Sequence, residues 1–204
     1  GRAHGEAASI MRAIDQVCVL YSADRDRIAV AGLSAGASMA ALLALRQPQR
    51  FKAVIMHSGI PPGTAHSTLS AVSAMHGGRN TRPLRTTPAA APAGLPPLLV
   101  IHGREDTVVA PSNGQAAVHV WAEAAGAAGG SQRTVQRGKR YAAQVTDFKR
   151  KGSTAATLME VATLGHAWSG GAAGSAYGDV QGPDASRIAW RFAQRQFEQP
   201  TIGR

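Results

Sequence analysis

Apolar and polar positions change period several times along this chain, and each change marks an element. From residue 5 to residue 20 apolar side chains recur at helical spacing: Ile10, Ile14, Val17 and Cys18, with Tyr21 one turn on. This predicts an amphipathic helix over 5–20. Ser22-Ala23-Asp24-Arg25-Asp26 is polar and reads as a turn. A short apolar run at 27–32 predicts a strand, and the strong helix formers over 35–46 predict a helix that ends before Pro48. Phe51 to Met56 is a second strand. Strand, helix, strand in that order points to a parallel sheet with covering helices.

Residues 60–94 differ: Pro, Ala, Gly, Ser and Thr dominate. This stretch reads as a long insertion or lid-like loop, with a short helix expected around Thr68 to Met75. Leu95 to His102 is a third, buried strand. Ser112 to Ala128 is a helix with Ala116, Val120, Trp121 and Ala124 on one face, stopped by Gly129-Gly130. Tyr141–Arg150 and Ala156–Thr163 read as adjacent strands joined by a tight turn at Lys151-Gly152-Ser153. Ala185 to Phe197 closes the pattern as a helix with Ile188, Phe192 and Phe197 on its apolar side. The expected architecture is α/β, a mostly parallel sheet in a three-layer sandwich, with 1–204 as a single domain.

Composition agrees with that picture. At 204 residues, 44% of them hydrophobic and 17% charged, the chain is long enough for one sizeable core. The longest apolar runs are strand-sized, so no membrane span is expected. Gly1-Arg2-Ala3-His4-Gly5 carries no signal-peptide pattern, and the chain reads as a processed or truncated product. Cys18, the single cysteine, can form no internal disulfide and is expected as a buried, inert thiol. The net charge of +10 gathers between Arg133 and Lys151, where aromatics are sparse and no nucleic-acid motif appears. That cluster reads as the solvated side of strands, and no nucleic-acid partner is expected. The seven histidines form no His-x-x-x-His or His/Cys cluster, so neither metal nor cofactor is expected.

The chemistry gathers at strand ends. Gly32-Leu33-Ser34-Ala35-Gly36 lies between the strand at 27–32 and the helix at 35–46, the setting of a nucleophile elbow. Both glycines are expected to relieve crowding at the sharp turn. A serine hydroxyl needs a general base, and the base needs an orienting acid. His102-Gly103-Arg104-Glu105-Asp106 supplies a carboxylate after the third strand, and Gly165-His166-Ala167-Trp168 an imidazole after the last one. Ser34, Asp106, His166 is the chain order of an α/β-hydrolase triad. Glu105 competes with Asp106 for the acid role. His102 and His57 also lie at strand ends and read as supporting residues, because neither falls late enough in that order.

Longer segments carry a resemblance. Gly5-Glu6-Ala7-x-Ser9-Ile10, Gly32-Leu33-Ser34-Ala35-Gly36-Ala37-x-Met39, His102-Gly103-x-x-Asp106, Gly165-His166-Ala167-Trp168-Ser169-Gly170-Gly171 and Gly182-Pro183-Asp184-Ala185-Ser186 resemble the polyhydroxybutyrate depolymerase family of esterases. That group is similar to some feruloyl and acetylxylan esterases and to LpqC-like esterases. The resemblance implies an α/β-hydrolase fold and a serine esterase without cofactor. It makes Ser34 the nucleophile, Asp106 the acid, His166 the base and Trp168 a wall of the acyl pocket. It also implies an ester substrate, polymeric or small, and an extracellular or periplasmic location.

The chain departs from the family twice. Thr64 stands in a Gly-Ile-Pro-Pro-Gly-Thr-Ala segment where the family usually has a cysteine. The strands and oxyanion loop that precede the elbow in this fold are not matched. Ala35 N–H is therefore the one oxyanion donor expected, and the strand at 27–32 is expected as an open sheet edge. A complementary N-terminal segment completing the sheet is the implied partner. Two other readings stay open: a catalytically incomplete binding or scaffold domain, and a serine peptidase of the same fold.

Overall fold

A computed structural model of the chain describes residues 2–62, 73–76 and 94–199. Most of the Pro- and Ala-rich stretch, including Thr64 and the first five residues of the helix expected near 68–75, lies outside these residues, while 73–75 are helical. The chain runs through α1 (Arg2–Leu20), β1 (Ala29–Leu33), α2 (Ala35–Arg46), a single 3-10 turn (Pro48–Arg50) and β2 (Ala53–His57). It continues through β3 (Leu98–Gly103), α3 (Ser112–Ala125), β4 (Ala128–Gly129), β5 (Arg133–Val135), β6 (Ala143–Arg150) and β7 (Ser153–Val161). The small pair β8 (Trp168–Ser169) and β9 (Gly178–Asp179) precedes α4 (Ala185–Phe197).

Seven strands form one sheet in the order β1-β2-β3-β7-β6-β4, with β5 also paired to β6. The β1, β2, β3 and β7 ladder is parallel, and β6 returns antiparallel through the turn at 151–152. The register places Leu33 beside His57 and His57 beside Ile101. The C-terminal ends of β1, β2 and β3 therefore lie side by side, and a loop leaving any of them can reach the same spot.

Strand period two divides the core. Val54, Met56, Leu98 and Val100 point to one face and pack with α1, α2 and α3. Ile55, Leu99, Ile101 and Met159 point to the other and pack with α4. α4 matches its expected span, and Asp184 fixes its start by accepting the Arg187 amide N–H at 2.9 Å.

Two helices depart from expectation. α3 ends at Gly126, left-handed at φ 60°, and not at Gly129-Gly130; Ala128 and Gly129 belong to an edge strand instead. Its buried face is Ala117, Val118, Trp121 and Ala122, so Ala116 and Val120 sit at its margin. On α1 the buried stripe is Ala7, Met11 and Cys18 with Ile14 beside it, while Ile10, Val17 and Tyr21 are exposed. Cys18 is buried, as expected.

Among the described residues β1 has one neighbour, β2, and its middle residue Ala31 is exposed. Along that edge runs a groove of about 1030 Å³, walled by Ile14 and Val17 of α1 and by Trp190 and Phe197 of α4.

Candidate active site

Ser34 sits between β1 and α2 at φ 55° and ψ −120°, a strained backbone for a residue with a side chain. The close approach of the turn explains how it is held. A Cβ on Gly32 would lie 2.2 Å from the carbonyl carbon of Gly36, so residue 32 must be glycine. Gly36 itself faces open space, contrary to the expectation that both glycines relieve crowding. Ala35 is the first residue of α2, and its N–H has no acceptor within the helix. It is aimed, with the positive end of the helix dipole, beside Ser34.

The acid and base come from the neighbouring strand ends. Asp106 is buried in the turn after β3, where its Oδ1 accepts the amide N–H groups of Val108 at 3.0 Å and Val109 at 2.8 Å. His166 lies on the loop after β7, and its Nδ1–H donates to Asp106 Oδ2 at 2.8 Å. Burial pushes the Asp106 carboxyl up, but the nearby His102 imidazole and the hydrogen bonds from the Val109 amide and His166 outweigh it. They hold the group well below the usual carboxylate range. An ionised Asp106 fixes the proton of His166 on Nδ1 and leaves Nε2 as the free base. Glu105 is exposed, and among the described hydrogen bonds it is Asp106, not Glu105, that His166 meets. Among the described hydrogen bonds none joins Ser34 Oγ to His166; such contacts commonly tighten only with substrate bound.

The two loops touch through backbone. A Cβ on Gly103 would lie 2.0 Å from the Leu164 carbonyl oxygen, and Glu105 N–H donates to that oxygen at 3.1 Å. The His-Gly dipeptide thus lets the turn of Asp106 lie flat on the loop of His166.

His57 and His102, read from sequence as supporting residues, have definite places. His102 Nε2–H donates to the Val109 carbonyl at 2.9 Å and lies 3.5 Å from Asp106 Oδ2, bracing the acid's turn. His57 is fully buried. Its carbonyl accepts the Ser34 amide N–H at 2.9 Å, and its Nε2 accepts the Ser169 amide N–H at 3.1 Å. With Nε2 accepting, the proton sits on Nδ1, facing Ser58 Oγ at 3.2 Å. Burial, reinforced by His102, pushes the His57 imidazole down to about 3, so it is neutral.

Trp168 stacks on His57 with ring centroids 5.0 Å apart and donates its Nε1–H to Ser186 Oγ at 3.0 Å. It lines the groove beside β1, whereas Ala35 lines a separate shallow groove with Ile10, Gly36 and Met39. Nothing in the sequence pattern marks Ser169 as the partner of His57, because that bond is made by a backbone amide 112 residues away.

A mostly parallel sheet covered on both faces, with a strained serine turn, a buried carboxylate and a histidine at its strand ends, is the fold of an α/β-hydrolase. The family model described as "Esterase PHB depolymerase" matches residues 1–137, and the chain belongs to that family. It is 35% identical over 123 residues to poly(3-hydroxyalkanoate) depolymerase C of Paucimonas lemoignei, covering 55% of this chain and 28% of the relative. It is 27% identical over 129 residues to a probable acetylxylan esterase A of Aspergillus fumigatus, covering 58% of this chain and 35% of the relative. The chain thus spans about a third of each of these curated relatives.

Among solved structures it is similar to an acetyl xylan esterase from Aspergillus awamori, with a TM-score of 0.64 at 22% identity, covering 78% of this chain and 61% of that one. It is also similar to SOBER1 from Arabidopsis thaliana, with a TM-score of 0.54 at 17% identity, covering 96% and 65%. These structures share the fold. Among the described residues no helix is long and apolar enough to cross a membrane.

Proposed function

We propose that this chain carries the catalytic serine, acid and base of a carboxylic-ester hydrolase. The observation that carries the reading is the 2.8 Å bond from His166 Nδ1–H to a buried, ionised Asp106. It leaves Nε2 as a base at the strand ends where Ser34 is held in a strained elbow. In this reading His166 Nε2 takes the Ser34 hydroxyl proton as Oγ attacks the ester carbonyl. Ala35 N–H stabilises the oxyanion, and His166 returns the proton to the departing alcohol. Water, deprotonated by His166, then attacks the acyl-serine, and the acid leaves as His166 returns that proton to Ser34 Oγ.

Family membership favours polyhydroxyalkanoate-type esters or related acetyl and feruloyl esters as substrates, and an extracytoplasmic site of action. Trp168, stacked beside His57 near the elbow, is assigned to the acyl-binding wall. The open edge of β1 and its apolar groove favour pairing with a further extended segment of the protein, which would also bring a second oxyanion donor.

The test is labelling with a fluorophosphonate probe, followed by hydrolysis of p-nitrophenyl esters of graded acyl length and of polyhydroxybutyrate. Covalent modification at Ser34, abolished in Ser34→Ala, is the expected result. An unlabelled Ser34 in the full-length protein would overturn the reading in favour of a non-catalytic scaffold of the same fold.

A further inference from the structure

The basic residues that the sequence gathers after Arg133 meet a second set in three dimensions. Arg133, Arg137 and Arg140, from β5 and the turn that follows it, face Arg187, Arg191 and Arg195 of α4 across a cleft of about 400 Å³. Arg187, Arg191 and Arg195 are four residues apart, so they form one stripe along the helix. All six are exposed. The cleft is floored by the apolar side chains of Val145, Met159 and Phe192, which lie beneath the guanidinium rim.

Counter-charge is scarce. Asp147 is engaged by Arg133 at 2.6 Å and by the Thr157 hydroxyl at 2.7 Å. The Asp184 side chain caps α4 through the Arg187 amide N–H. Arg140 is turned to the Val180 carbonyl at 3.0 Å and to Gly182. Among the described residues no carboxylate pairs with Arg137, Arg187, Arg191 or Arg195. Four mutually repelling guanidinium groups around one apolar-floored pocket are a poor arrangement for stability alone. They are a good one for an organic anion, because planar N–H forks match the two oxygens of a carboxylate. The volume lies in the range of small-molecule pockets. The floor also includes Leu99, at the N-terminal end of β3, whereas Asp106 follows its C-terminal end, so this cleft is separate from the candidate active site.

We propose that the cleft binds a monocarboxylate with an aromatic or medium-length aliphatic body, its carboxylate held by Arg187 and Arg191 and its body on Val145, Met159 and Phe192. An enclosed apolar floor favours such a ligand over a polyanion, which needs charge but no pocket. The test is titration calorimetry of the protein with 2-naphthoate, 2-naphthol and acetate, on wild type, Arg187→Gln/Arg191→Gln, the charge-conserving Arg187→Lys/Arg191→Lys and the remote surface control Arg12→Gln on α1. Thermal melts verify that each variant is folded.

The expected result is saturable binding of 2-naphthoate to one site, with weaker binding of 2-naphthol and acetate. Affinity should fall about tenfold or more in the Gln pair, partly in the Lys pair, and not in Arg12→Gln. Equal binding of 2-naphthol and 2-naphthoate, or undiminished binding in the folded Gln pair, would overturn the proposal. So would retention on heparin that depends on these arginines without any naphthoate binding, which would make the face a polyanion surface.

Discussion

The imidazole Nε2 of His57 accepts the backbone N–H of Ser169 at 3.1 Å. The same residue accepts the Ser34 amide through its carbonyl at 2.9 Å, so one buried residue, by its backbone on one side and its ring on the other, ties the elbow to the loop that carries His166. His57→Phe keeps the ring but removes the acceptor and leaves the Ser169 amide buried without a partner. A loss of about 1–3 kcal/mol is expected, measured by urea unfolding at neutral pH.

The same residue sets a pH dependence of stability. In the unfolded chain an imidazole takes up its proton near an ordinary value of about 6.5, whereas in the fold burial keeps His57 neutral down to about 3. Between those values the unfolded state binds more protons, so stability rises with pH. Lowering the pH from 7 to 5 should cost about 2 kcal/mol, and His57→Phe should flatten that slope. Asp106 acts in a lower window. Its depressed pKa gives stability that is full above the usual carboxylate range and is lost only as pH falls below about 4. Urea midpoints at several pH values for both proteins check both windows.

Asp106→Asn should separate fold from activity. An Asn oxygen can keep the Val108 and Val109 amide bonds, but its NH₂ then faces His166 Nδ1 and favours the wrong tautomer. Ester hydrolysis, if it proceeds as proposed, should drop by about 10⁴ in kcat with KM little changed, while the melting temperature moves far less. Steady-state kinetics on a p-nitrophenyl ester read this directly.

The two glycines of the elbow should behave oppositely. Gly32→Ala forces a Cβ into the Gly36 backbone and is expected to unfold the elbow or abolish soluble expression. Gly36→Ala meets nothing within 4 Å and lies in a helix. It should be tolerated or gain up to about 1 kcal/mol, as thermal melts would show.

What the sequence revealed follows from the range of the forces involved. Local signals were readable. Strand period two and helix formers located the sheet and α2, and the apolar side of Ile188, Phe192 and Phe197 located α4. The Gly-x-Ser-x-Gly pattern between a strand and a helix and the chain order of Ser34, Asp106 and His166 marked the candidate triad. Signals that depend on a distant surface were not readable. Ile10, Val17 and Cys18 share a helical arc, yet the sheet determines that only Cys18 is covered. Gly126 and Gly129 are equivalent stops by composition. β6 decides between them, because Gly129 pairs beside Phe148 and so cannot extend α3. The arginine cleft joins residues about 50 positions apart and exists only once α4 packs on β2 and β3.

The fit of Gly103 against Leu164 bears on how the site could be dismantled. The turn holding the acid and the loop holding the base are joined by backbone contact that Gly103 permits, and the His102 ring braces the turn, so their 2.8 Å bond is held by the packing of the two loops. Asp106 and His166 therefore form one cartridge on β3 and β7, while Ser34 belongs to a second body made of β1 and α2. The interface between the two bodies is β2 with His57 at its end, and it is there, not at either half, that small shifts would set the reach from serine to base.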